Sequence, residues 1–318
     1  MAATTNFVAA QAANRRNTMI LLVVLTAFAA GFGYLVGWIL QGEVTDELPL
    51  VSPAGLVLAG GLAAVSVVWS LISLAFGSRF VVAMADAKEI AKEDAPQLFN
   101  LVEEMSIASG VPMPSVRVME TDALNAFATG TSTANGTIAV TRGLLNTLNR
   151  DELQGVIAHE MAHIANLDTR YMTVVGVTVG LIALIADMIL RSMQWRALSR
   201  SRGSNDRRGS GAGLLIIVLI VVAIIAPIAA RAVQMAVSRQ REYLADATSV
   251  QFTRNPEGLI SALQKLAAAA APFPGASRAT QHLFIVNPIK TFTAKSSALM
   301  ATHPDVADRI ARLRNLGA

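Results

Sequence analysis

Cysteine is absent from the chain, which excludes disulfides and thiolate ligands and leaves histidine and carboxylate to hold any transition metal. The same absence fits a reducing compartment. Charge is thin: Asp, Glu, Lys and Arg supply 15% of the residues, against roughly 25% in an ordinary soluble domain. Aromatic residues are few, at 5%, so the 53% hydrophobic content is built mainly from Ala, Val, Leu and Ile. Such a composition excludes an ordinary soluble domain and reads as a membrane protein. The net charge of +4 sits in Arg clusters beside apolar runs, the pattern of bilayer flanks rather than of a nucleic-acid surface.

The apolar residues gather in four runs, each near the 20 residues that cross about 30 Å of hydrocarbon. Thr18 to Leu40 and Ala54 to Gly77 carry no charge, Tyr171 to Leu190 carries only Asp187, and Gly213 to Ala230 contains Pro227. The first run spans 23 residues, longer than the 7–15 of a cleaved signal, and is expected to stay as an anchor. Arg15 and Arg16 precede it, the loop from Gln41 to Ser52 has acids but no Lys or Arg, and Arg79, Lys88 and Lys92 follow the second run. The excess of positive charge on cytoplasmic loops then puts the N-terminus and everything from Arg79 onward in the cytoplasm. The linker from Arg191 to Gly211 holds six Arg and one Asp and reads as flexible and solvated. Its charge favours a hairpin that does not cross the membrane, whereas the length of the third and fourth runs favours two crossings; two crossings are expected.

Between the second and third runs lies a polar insert, Ser78 to Arg170. The stretch "EDAPQLFNLVEEMSIASG" predicts a helix capped by Asp94, with Pro96 in its first turn, an apolar stripe of Leu98, Leu101, Val102 and Met105, and a stop at Gly110. "SVRVMET" and "NAFATGTSTANGTIAVT" alternate like strands, with a turn at Asn135-Gly136. "NRDE" then offers Asn149 as N-cap with Glu152 three residues on, the reciprocal capping box that opens a helix.

On that helix stands "HEMAH". His159 and His163 are four apart, so they share a face and can point two ring nitrogens at one ion. Glu160 can lean over the same point, which is the spacing of a zinc hydrolase: two ligands, an open position for water, and a carboxylate to take its proton. With this chain's four His, the match arises by chance about twice in a thousand such sequences. Leu153, Val156, Ile157, Met161 and Ile164 form the packing stripe of the helix. Position 169 is Thr169, so no third His follows at the metzincin spacing, and a carboxylate from elsewhere must complete the set. "SRQREYLADATS" supplies candidates, Glu242 and Asp246, four apart: one to bind zinc, the other to accept the second ring N–H of a ligand His.

These segments, with "GVPMP" ending at Pro114, "NAFATG" from Asn125 and "THPDVADRIARL" near the C-terminus, resemble the HtpX family of membrane-embedded zinc metallopeptidases, relatives of the CAAX prenyl endopeptidases. The resemblance runs over nearly the whole chain. It implies one zinc ion on His159, His163 and Glu242, Glu160 as general base, and Asp246 as the orienter of a ligand. It also implies that Asn125, Ala126, Phe127 and Ala128 form an edge strand along which a peptide lies extended. His303 and Arg309 match, by their spacing, a pair that approaches the active site in the prenyl endopeptidases, and are candidate transition-state stabilisers. Their bland alternative is an N-cap region and a solvated helix face.

The expected protein is mainly α, with transmembrane helices and a zincin-like catalytic domain holding a small β-sheet. Residues 1–77 form a two-helix anchor, 78–170 the first catalytic part, 171–235 the third and fourth apolar helices with their linker, and 236–318 the second catalytic part. The resemblance implies an endopeptidase of the bacterial inner membrane, facing the cytoplasm, that removes damaged or misfolded membrane proteins in quality control and stress response. Its partners are polypeptides and the bilayer, not nucleic acid. The competing expectation is a catalytically silent membrane scaffold with a structural zinc site.

Overall fold

The structure, a computed structural model, describes residues 7–45, 51–178, 239–269 and 304–316. The third and fourth apolar runs beyond residue 178, the Arg-rich linker and His303 lie outside the described residues. The chain divides into two compact units, one of Met1–Thr18, Leu74–Val177 and Val233–Ala318, the other of Met19–Ser73 and Thr178–Ala232.

The second unit contains the long central parts of two helices, α1 (Phe7–Thr45) and α2 (Pro53–Met84). Both outrun the apolar runs read from sequence, and α1 includes Arg15 and Arg16. At 39 and 32 residues they are about 58 and 48 Å long, more than the hydrocarbon requires. Val23, Val57, Val65 and Leu71 are each more than three-fifths exposed. Apolar surface on that scale is costly in water and costless in lipid, so these are membrane helices rather than the core of a soluble domain. Gly33 and Gly37 let the two backbones touch: a Cβ on either would meet the carbonyl oxygen of Leu58 or Ala54 at 2.5 Å. Thr26 and Ser66 share a hydrogen bond of 3.1 Å across the same pair.

The other unit is built around a four-stranded sheet in the order β1 (Lys88–Glu89), β2 (Ser115–Met119), β4 (Thr137–Thr141), β3 (Ala126–Thr129). β2 and β4 run parallel, and the two outer pairs are antiparallel. α3 (Pro96–Ser109) buries Leu98, Leu101, Val102 and Met105 and ends at Gly110, as its sequence period dictates. Asp94 departs from the expectation. Its carboxylate accepts the N–H of Ala91 at 2.9 Å and closes a 3-10 turn over Lys92–Asp94, leaving Ala95 as the N-cap of α3. A short helix, α4 (Arg142–Thr147), is capped by the Thr141 hydroxyl.

The central element is α5 (Arg150–Ala165), opened by the Asn149–Glu152 capping box. The expected apolar stripe is buried, but so is every residue from Gly155 to Ala165, polar ones included. α3, the sheet, α6 (Arg239–Thr253) and α7 (Pro256–Ala268) all pack against α5. A Cβ at Gly155 would stand 2.6 Å from the backbone nitrogen of Leu259, so glycine is what lets α7 approach. The Glu152 carboxylate joins the same two helices through Ser261 at 2.6 Å and Lys265 at 2.7 Å. α8 (Val306–Leu316) buries Leu313 with Leu259, Ile260 and Leu263 of α7.

Candidate metal centre

His159 and His163 project from consecutive turns of α5, and Glu242 reaches them from the first turn of α6. One donor atom from each lies within 4.8 Å of the others, and all three side chains are buried. The two Nε2 atoms are 3.2 Å apart, and each is 3.7 Å from an oxygen of Glu242. Two nitrogens bound tetrahedrally to one zinc would be separated by about 3.3 Å, so the spacing suits a shared ion.

The far sides of both rings meet carboxylates. His159 Nδ1 lies 3.0 Å from Asp246 Oδ1, and His163 Nδ1 lies 2.9 Å from Asp168 Oδ2. A carboxylate can only accept, so each Nδ1 carries the proton and each Nε2 presents a lone pair to the centre. Two lone pairs facing at 3.2 Å repel unless a proton or a metal cation lies between them. The charges point the same way: Glu242, Asp246, Asp168 and the buried Glu160 share the centre with two guanidinium groups, those of Arg241 and Arg309, so carboxyl groups outnumber the arginines there.

Burial works against a charge on His159, but its hydrogen bonds to Asp246 and Glu242 outweigh this and push the ring up to about 9. Metal-free protein would therefore hold a proton where a cation belongs. Burial raises the Glu160 carboxyl, opposed by the charges of the two histidines. Glu160 is 2% exposed and feels the fields of His159, His163, Glu242 and Arg309.

The structure thus brings together His159, Glu160, His163, Glu242 and Asp246. Arg309 joins them, 1% exposed, in a role the sequence did not suggest. Its Nε and Nη2 donate to the two oxygens of Asp246 at 2.9 and 2.6 Å, and Nη1 lies 3.6 Å from Glu242 Oε2. The bland reading of a solvated face fails for this residue. Burial disfavours the Asp246 charge, yet Arg309 holds that carboxyl below its usual value, and Asp246 in turn raises Arg309. Asn125, Ala126, Phe127 and Ala128 are all buried; the last three lie on β3, the edge of the described sheet that packs against α5.

Asp168 was missed. It follows His163 by five residues, just past the end of α5, where Leu167 takes a left-handed φ of 58° and turns the chain back under the ring. An acid at that point in "HIANLD" was the available signal. Asn14 and Arg241, which hold Asp168 at 2.7 and 3.0 Å, offered none.

Two histidines and a glutamate converging on a buried point, with a further glutamate between the histidines, define a metallopeptidase centre. Residues 92–317 match peptidase family M48. Curated relatives named "Protease HtpX homolog" are similar over nearly the full length. That of Thermoanaerobacter pseudethanolicus is 41% identical over 307 residues, 96% of each chain. Those of Listeria monocytogenes and Tropheryma whipplei are 40% and 41% identical, covering 96% of this chain and 98% and 97% of theirs. The crystal structure of S. mikatae Ste24p is a distant likeness, with a TM-score of 0.45 and 17% identity, over 93% of this chain and 64% of that one. The chain belongs to peptidase family M48.

Proposed function

We propose that the protein is an integral membrane zinc endopeptidase that hydrolyses misfolded or damaged membrane proteins in quality control, with its catalytic unit facing the cytoplasm of a bacterial cell. The observation that carries this reading is the convergence of His159, His163 and Glu242 on one point while Asp246 and Asp168 hold the far nitrogen of each ring. The chemistry of that donor set, all nitrogen and oxygen with no thiolate, suits zinc.

His159, His163 and Glu242 would hold the ion, whose Lewis acidity brings the pKa of water toward about 7. Glu160 takes a proton from the attacking water and passes it to the leaving amine. Its burial keeps this carboxylate from being solvated and so makes it a better base. A silent structural site would have no use for a buried acid that is not a ligand. Arg309 acts through Asp246, fixing the carboxylate that orients His159.

The register of the sheet supports a peptide-binding role for β3. The backbone pair Asn125 and Thr141 is hydrogen-bonded, so Phe127 also turns its main-chain groups to β4, while those of Ala126 and Ala128 face the outer edge. An extended substrate pairing there would bond to Ala126 and Ala128. The N–H of Ala126 is held meanwhile by Asn125 Oδ1 at 3.1 Å, a bond that an incoming strand would replace.

The test is Glu160→Gln in the full-length protein in detergent. Zinc content is expected to remain at one per chain while cleavage of casein or a destabilised membrane protein falls by orders of magnitude. Near-normal turnover by the pure variant would remove Glu160 as the base, and wild-type protein without zinc would remove the reading as a whole.

A further inference from the structure

The geometry points to Asn14 as a positioning residue for the metal centre, which makes the first turns of α1 part of the site and not merely its tether. This rests on the reading of His159, His163 and Glu242 as zinc ligands. Asn14 is 5% exposed, and its carboxamide is fully used. Nδ2 donates to Asp168 Oδ1 at 2.7 Å and to the backbone oxygen of Asn166 at 2.9 Å, and Oδ1 accepts from Arg241 Nη2 at 3.2 Å. With both donors and the acceptor engaged, the side chain has one orientation.

The two oxygens of Asp168 have separate duties. Oδ2 takes the Nδ1–H of His163 at 2.9 Å, while Oδ1 is held by Asn14 and by Arg241 Nε at 3.0 Å. Rotation of the carboxylate would move the partner of a ligand ring, and among the described residues Asn14 and Arg241 are the groups that hold Oδ1 against it. Its bond to Asn166 also clamps the turn that delivers Asp168, next to the left-handed Leu167. A neutral donor fits where Arg241 already supplies the positive charge. A turn earlier on α1, Gln11 Nε2 donates to the backbone oxygen of Ala165 at 2.7 Å, docking the same helix on the same turn without touching a carboxylate.

The experiment compares full-length variants in detergent by zinc affinity against a competing chelator, by the visible d–d bands of the cobalt-substituted protein, and by thermal stability of the metal-free protein. Asn14→Ala is expected to weaken zinc about tenfold, the low end for groups that orient a ligand, and to shift the cobalt bands. Asn14→Asp keeps the shape and the acceptor facing Arg241 but sets a second carboxylate against Asp168, so it weakens zinc at least as much and remains informative if the alanine variant does not fold. Gln11→Ala is expected to lose comparable stability while zinc affinity stays within about twofold, because it leaves Asp168 oriented. In an Asp168→Asn background, Asn14→Ala is expected to add no further loss. Wild-type affinity and cobalt spectra in both Asn14 variants, or an equal loss in Gln11→Ala, would overturn the assignment. A wild-type protein that binds no zinc would overturn it together with the reading it rests on.

Discussion

Replacing Arg309 by Met keeps most of the buried stem volume and removes the two hydrogen bonds and the charge that hold Asp246. Among the described residues, that carboxylate, 3% exposed, would retain only the N–H of His159. Breaking a buried ion pair by deleting one partner costs about 3–5 kcal/mol. The loosened Asp246 no longer fixes His159, which lowers metal affinity by about 10–100-fold, or roughly 1.4–2.7 kcal/mol. The pH dependence gives the sharper check. In the wild type Arg309 holds the Asp246 carboxyl below its unfolded value near 3.9, so the pair stabilises the fold above that pH and the contribution fades as pH falls. In the variant, burial would raise the same carboxyl, a penalty at neutral pH that protonation relieves. The gap in unfolding free energy between the two proteins, measured by denaturant titration with chelator present, should therefore be widest at neutral pH, narrow as the variant's carboxyl takes up its proton, and close only below about pH 4, where the wild-type pair is lost as well. The double variant Arg309→Met with Asp246→Leu should lose less than Arg309→Met alone, since it leaves no buried charge behind. A pH-independent gap under about 1 kcal/mol, or a double variant worse than the single, would refute the clamp.

Glu152→Ala removes the reciprocal half of the α5 capping box, in which its carboxylate accepts the N–H of Asn149 at 2.8 Å, together with the bonds to Ser261 and Lys265, and is expected to cost about 2–3 kcal/mol at neutral pH. Burial opposes the Glu152 charge, but Lys265 and Ser261 bring its carboxyl below the usual value, so thermal melts should show the deficit shrinking as pH falls below about 4. For topology, single Cys probes at Ser204 and Ser210 are expected to react with a membrane-impermeant maleimide in intact cells, with Gln41→Cys as a positive control. Labelling of the control alone before lysis would reject two crossings of the third and fourth runs.

Local signals were legible where the structure is local. The stripe of α3, its proline start and its glycine stop, the capping box of α5 and the His-Glu-x-x-His spacing all act within a few residues, and the structure follows them. Asp94 went astray because two adjoining turns compete for one carboxylate, and the 3-10 turn takes it. The packing stripe read from sequence assigns no neighbours to the polar residues of α5. They are buried because α6 and α7 also pack on this helix, and nothing in residues 150–165 announces partners drawn from residues 239–268. The same distance hides the supports of the centre: Asn14 is 154 residues from Asp168, and Arg309 is 150 from His159. The parallel pairing of β2 with β4, with β3 moved to the edge, is likewise a choice of topology that strand periodicity leaves open.

The placement of Arg309 on Asp246 also sets a clock. During synthesis α1 and α5 leave the ribosome first, so a growing chain carries the His159–His163 pair well before Glu242 and Asp246 exist, and Arg309 comes later still. Until α8 has been made, Asp246 lacks the guanidinium that grips both its oxygens. The three converging side chains are therefore complete in the chain some sixty residues before the arginine that braces them, and the centre gains its last support only when synthesis is nearly over.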